Sequence, residues 1–145
     1  MATAPSAPLL VDTIAGRFQV PAADVIHAAD GLPGFEGCRR YVLVTAPEMA
    51  PFTCLHGLDA PAPSFVTIDP RLVVAGYQQP LGAAERARLG VEGDEPLLWL
   101  AVVRVAEDGA TVNLRAPIVV HPGRMRALQL VGADAPYAAA HPLVE

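Results

Sequence analysis

Cys54 and His56 stand two apart in the run FTCLH. On an extended strand that spacing puts both side chains on one face, where a thiol and an imidazole can serve as nucleophile and base. The same spacing also fits a core cysteine beside an incidental histidine, the commoner arrangement. The four histidines, His27, His56, His121 and His141, are scattered, with no H-x-H, H-E-x-x-H or C-x-x-C spacing, so no metal site is expected. The two serines, Ser6 and Ser64, lie outside any G-x-S-x-G context. Gly31 to Gly37 is glycine-rich, but it lacks the lysine of a phosphate loop, and the chain has no lysine at all. The carboxylates Asp59, Asp69, Glu92, Asp94 and Glu95 sit in or beside loops, at no spacing that demands acid–base work. The residues therefore point to a protein without catalysis, cofactor or metal.

Composition narrows the class further. A chain of 145 residues fits one domain, and 52% hydrophobic with 17% charged residues is globular rather than disordered. Fifteen prolines and twelve glycines cut it into short pieces, which suits strands and turns better than a helical bundle. The formal charge is −5 and all ten basic residues are arginine, scattered without a basic run. Direct nucleic-acid binding is therefore not expected, because phosphate neutralisation supplies much of that affinity. No stretch approaches the 18 apolar residues of a spanning helix, and Met1 to Leu10 lacks the charged start of a secretory signal. Two cysteines far apart read as free thiols, and the expected compartment is the cytoplasm.

The elements that must position these residues centre on Leu97 to Val120, which reads LLWLAVVRV, AEDGA, TVNLRAPIVV. Asp-Gly between apolar runs predicts a hairpin. In the second run Val112, Leu114, Ala116, Ile118 and Val120 share one parity, so it reads as one strand with a buried face. The first run is apolar almost throughout, as in a strand covered on both sides. Before it, Asp12–Ile14 and Arg17–Val20 flank Gly16 as a first hairpin, and 25–28, 39–45, 52–56 and 64–68 read as further strands. GLPGFEG at 31–37 reads as a turn that sends Leu32 and Phe35 into the core. Residues 72–77 suggest an edge strand, 81–89 a short helix ended by Gly90, and 124–131 a last strand or helical turn. The expected fold is mainly β: a single-domain, antiparallel, barrel-like domain over residues 11–143 with one short helix, preceded by a flexible tail at 1–10.

In chain order, GLPGFEG, SFVTIDP at Ser64–Pro70, the helix ending in LGVEG, LLWLAVVRV, VNLRAPIVV and the closing HPL resemble the FliW family of flagellar assembly factors, over about residues 10 to 143. The resemblance implies a cytoplasmic, non-catalytic regulator that binds flagellin and the translational regulator CsrA. Flagellin held in the cytoplasm occupies such a protein; export frees it to bind CsrA and relieve repression of the flagellin message. Asp69, Pro70, Asn113 and Pro117 match motif positions and are candidate partner contacts. Tyr77 and Tyr137 are candidate amphipathic anchors, and Glu92, Asp94 and Glu95 candidate steering charges for a basic partner. The chain departs from the family pattern at Arg71 and Ala75-Gly76, at His121 where an Asn is usual, and at Ala138–Ala140 where a basic residue is common. The rival expectation is a β-barrel enclosing a small ligand, which requires an apolar pocket with convergent polar groups, for instance near Cys54 and His56.

Overall fold

A computed structural model of the chain describes residues 8–131 and 136–143. In chain order it contains β1 (Leu9–Thr13), β2 (Gly16–Val20), β3 (Ile26–His27), β4 (Arg40–Val44), β5 (Phe52–Gly57), β6 (Ser64–Ile68), α1 (Ala83–Leu89), β7 (Leu98–Ala106), β8 (Gly109–Val112), β9 (Ile118–His121), β10 (Arg126–Gln129) and β11 (His141–Leu143). Neighbouring strands run β7-β6-β5-β4-β3-β10-β9, and β9 pairs back onto β7, which closes a seven-stranded barrel. Closure removes the free edges that an open sheet would present. Every pairing in the ring is antiparallel except β3 with β10, which meet in parallel at His27 and Arg126. The mainly β, barrel-like fold with one short helix is as the sequence predicts.

Strand periodicity decides what fills the barrel. Ile26, Tyr41, Leu55, Leu100, Ile118, Val120 and Ala127 come from six of the seven strands and pack as one cluster, with Phe65 of β6 against it. Alternate residues of the same strands point outward, and three separate covers bury them. The β1–β2 hairpin lays Val11 and Val20 over Val42, Val44 and Cys54. Helix α1 seats Leu89 on Val119, Leu128 and Leu130. The segment after β6, together with the chain before β11, covers Ile68, Ala101, Val103 and Val112. This double burial explains why β7 as far as Val103 and β9 as far as Val120 read as apolar runs.

Local chemistry sets the turns. In GLPGFEG, Leu32 is buried and Phe35 meets Phe65 edge-on at 5.2 Å, as the sequence predicts. Gly31 there has φ +67, and a Cβ at that position would lie 2.6 Å from Glu36 Cα, so only glycine fits. Gly90 takes φ 74 just past α1 and donates its N–H to Ala87 and Arg86, the expected helix stop. Residues 126–129 form a strand, resolving the two alternatives left open there.

Three expectations need correction. The run Thr111–Val120 is not one strand: it breaks between β8 and β9, because Asn113 Oδ1 takes the amides of Arg115 and Ala116 and Pro117 has none to give. Residues 72–77 are not an edge strand. Asp69 Oδ1 accepts from the Arg71 amide, Pro70–Leu72 winds into a 3-10 turn, and Pro70 O takes the amides of Val73 and Val74. Finally, β1 begins at Leu9, paired with Val20, so the strand takes in the last two residues assigned to the tail, and residues 1–7 lie outside the described ones. No helix among the described residues is long and apolar enough to cross a membrane.

Candidate functional site

The break in the second run leaves backbone carbonyls at Leu114 and Arg115 without a strand partner. Side chains more than thirty residues upstream take them. Tyr77 donates its hydroxyl to Leu114 O at 2.7 Å, and Gln79 Nε2 reaches Leu114 O at 3.2 Å and Arg115 O at 2.9 Å. Buried carbonyls need such partners, so the loop after β6 is latched to the turn before β9. Tyr137 then stacks on Tyr77 at 4.4 Å between ring centroids, and its hydroxyl accepts the Gln78 amide at 3.0 Å. Arg115 Nε closes the circuit on Tyr137 O at 3.0 Å.

This latch walls a cleft of about 580 Å³ lined by Arg71, Tyr77, Gln78, Gln79, Pro80 and Trp99. Asp69 fixes the guanidinium at its rim: Arg71 donates Nη2 to Oδ2 at 2.7 Å and Nε to Oδ1 at 3.0 Å. Those bonds from Arg71 hold the Asp69 carboxyl below its ordinary range despite partial burial. Burial pushes the Tyr77 phenol upward, so it stays a hydrogen-bond donor at neutral pH. Aromatic faces, amide groups and an oriented arginine around one concavity can grip a polypeptide through stacking and hydrogen bonds. They offer no nucleophile paired with a base.

The structure thus brings together Asp69, Tyr77, Asn113 and Tyr137, but in unequal roles. Asp69 orients Arg71, Asn113 shapes the turn, and Tyr77 is buried as the latch, while Tyr137 is half exposed. Pro70 and Pro117 are buried and shape the surface from beneath. Glu92, Asp94 and Glu95 belong elsewhere. Glu95 Oε1 accepts the Glu92 amide at 2.7 Å and faces Nε2 of the buried His121 at 3.3 Å. The Glu92 amide first, and then His121, hold the Glu95 carboxyl low. Sequence reasoning missed Gln79 and Trp99 and treated Arg71 only as a departure. Trp99 had a signal, since it sits on the opposite parity from the inward Leu100; the long-range reach of Gln79 had none.

Cys54 and His56 do share a face, as expected, but it is the outer face of β5 under the hairpin. Cys54 is packed among valines, and His56 Nδ1 lies 2.5 Å from Ser64 Oγ, which also accepts the Ile14 amide at 3.2 Å. Ser64 Oγ thus bridges the imidazole and the Ile14 amide, and burial lowers the histidine pKa. The arrangement clamps the hairpin tip. Among the described residues no group of three or more His, Cys, Asp or Glu could hold a metal.

Comparisons with known proteins agree with this architecture. The family model described as FliW protein matches residues 10–143. Similar sequences include the flagellar assembly factor FliW of Geobacter sulfurreducens, 35% identical over 132 residues, which cover 90% of this chain and 82% of that protein. The flagellar assembly factor FliW of Geotalea uraniireducens is 34% identical over 132 residues, covering 90% and 80% respectively. A crystal structure of the flagellar assembly factor FliW superposes with a TM-score of 0.84 at 26% identity, covering 94% of this chain and 98% of that one.

Proposed function

The chain belongs to the FliW family, and from that premise we propose that it serves flagellar assembly by binding other proteins rather than by catalysis. Its partners in this reading are flagellin and CsrA, bound in exchange in the cytoplasm: when export removes flagellin, the freed protein takes up CsrA and relieves repression of flagellin synthesis. The aromatic cleft formed by Arg71, Tyr77, Gln78 and Trp99 is the observation that carries the binding part of this reading. Each complex is expected to be 1:1 per protomer and to bury roughly 1,200–2,000 Å². The exposed Glu92 and Asp94 contribute mainly to association rate with a basic partner.

The filled interior supports this reading over an enclosed small ligand. Tyr41, Leu55, Leu100, Ile118 and Val120 occupy the barrel, leaving a concavity of about 250 Å³ at its mouth near Phe35, Phe65 and Gln129. Pull-down of purified flagellin and CsrA at micromolar concentration tests the reading, with both retained and flagellin displacing CsrA. Retention of neither, or a ternary complex formed without loss of affinity, would contradict it.

A further inference from the structure

A second concavity, of about 490 Å³, shares no lining residue with the aromatic cleft. His27, Asp30, Arg88, Arg126 and Leu128 are among the residues that line it. Arg126 on β10 sits in register with His27 on β3, while Arg88 comes from the last turn of α1. A Cβ at Gly90 would lie 3.1 Å from Arg126 Nη1, which places that guanidinium against the end of the helix, where the backbone dipole favours a cation. Arg126 has no carboxylate within ion-pair distance among the described residues. Arg88 does have one: Asp30, in a pair whose side chains are 50% and 74% exposed. Such an exposed pair is weak and exchanges readily for another carboxylate.

We propose that this pocket is a docking site for an acidic segment of a partner polypeptide, whose carboxylates reach Arg126 and replace Asp30 on Arg88. The planar guanidinium fork matches a carboxylate in bidentate fashion, and Ala127 and Leu128 give the side-chain methylenes of the segment an apolar wall. Charge complementarity selects the occupant. Although the whole chain carries a net charge of −5, Arg88 and Arg126 outnumber Asp30 among the lining residues of this concavity, and two arginines cannot track a long phosphate backbone. Asp30 is already the carboxylate that such a segment would mimic. This inference stands apart from the flagellin and CsrA reading and does not depend on it.

The test is titration of the isotopically labelled full chain, at low ionic strength, with a pentapeptide of two glutamates, a leucine and two glutamates. Amide shifts are expected at residues 27–30, 88 and 126–128, and they should fade as salt is added. R126Q should weaken binding about fivefold and D30N should tighten it by a similar factor. D30N keeps both arginines, so it remains informative if R126Q fails to fold. Shifts elsewhere, or an affinity indifferent to D30N, would overturn the proposal. So would tighter binding at the same amides by a hexathymidylate or by inorganic phosphate, which would make this a phosphate site.

Discussion

Two of the barrel's covers are built on different physics. The β1–β2 hairpin is held to β4 and β5 by valines, Phe18 and Cys54, with the Ile14 amide to Ser64 as a polar tie at its tip. The cover over β6, β7 and β8 is held by Tyr77, Gln79, Asn113 and Arg115, each bonded to a backbone group far away or across a turn. Apolar packing is non-directional and tolerates change of shape. Side-chain-to-carbonyl bonds fix direction, and a fixed surface is what partner recognition requires. In the proposed reading, the difference separates a cover that completes the core from one that also presents a site.

Substitutions should split the two covers. Tyr77→Ala removes a buried ring and leaves the Leu114 carbonyl poorly partnered, so unfolding stability should fall by about 3–5 kcal/mol in urea melts, with loss of partner binding. Val42→Ala, beneath the hairpin, should cost about 2 kcal/mol and leave binding intact. Equal loss of binding in the two variants would erase the distinction.

Smaller effects sharpen it. Burial lowers the His56 pKa, so as pH falls below about 6.5 the unfolded chain takes up a proton that the folded chain refuses. Stability should therefore drop as pH falls below about 6.5, at no more than about 1.4 kcal/mol per pH unit, and His56→Gln should flatten that slope. The cleft titrates elsewhere. Arg71 lowers the Asp69 pKa, so its contribution is fully present above about pH 4 and is lost as pH falls through the folded value, a loss that Asp69→Asn should abolish. Asn113→Ala should cost about 1 kcal/mol by freeing the amides of Arg115 and Ala116, and Asn113→Asp should restore most of it. Chemical denaturation across pH checks all three.

The same division marks what the sequence reveals. The hairpin is legible because Gly16 separates two short β-prone pieces, and the mainly β, barrel-like class because strand pattern and turn residues agree along the chain, whereas closure through β7 and β9 is seen only in the fold. The latch is not legible in the same way. Leu114 keeps the buried parity through a break, so the alternation from Val112 to Val120 hides the turn that Asn113 makes with its own side chain. Asp69-Pro70 reads as the end of a strand, yet the same two residues begin the 3-10 turn that carries Arg71 and then Tyr77 to the cleft. Tyr77 and Leu114 are 37 residues apart, and periodicity carries no information over that distance. Family resemblance pointed to Asp69 and Asn113, but only the fold shows that they arrange neighbours.

The central claim, that the latched cover is a protein-binding surface, is tested most directly by calorimetric titration of flagellin and CsrA into the wild-type chain and into Arg71→Glu. Arg71 lies at the exposed rim, so the variant should melt close to wild type while at least one partner loses tenfold or more in affinity. Undiminished affinity for both partners in a folded Arg71→Glu protein would contradict the account.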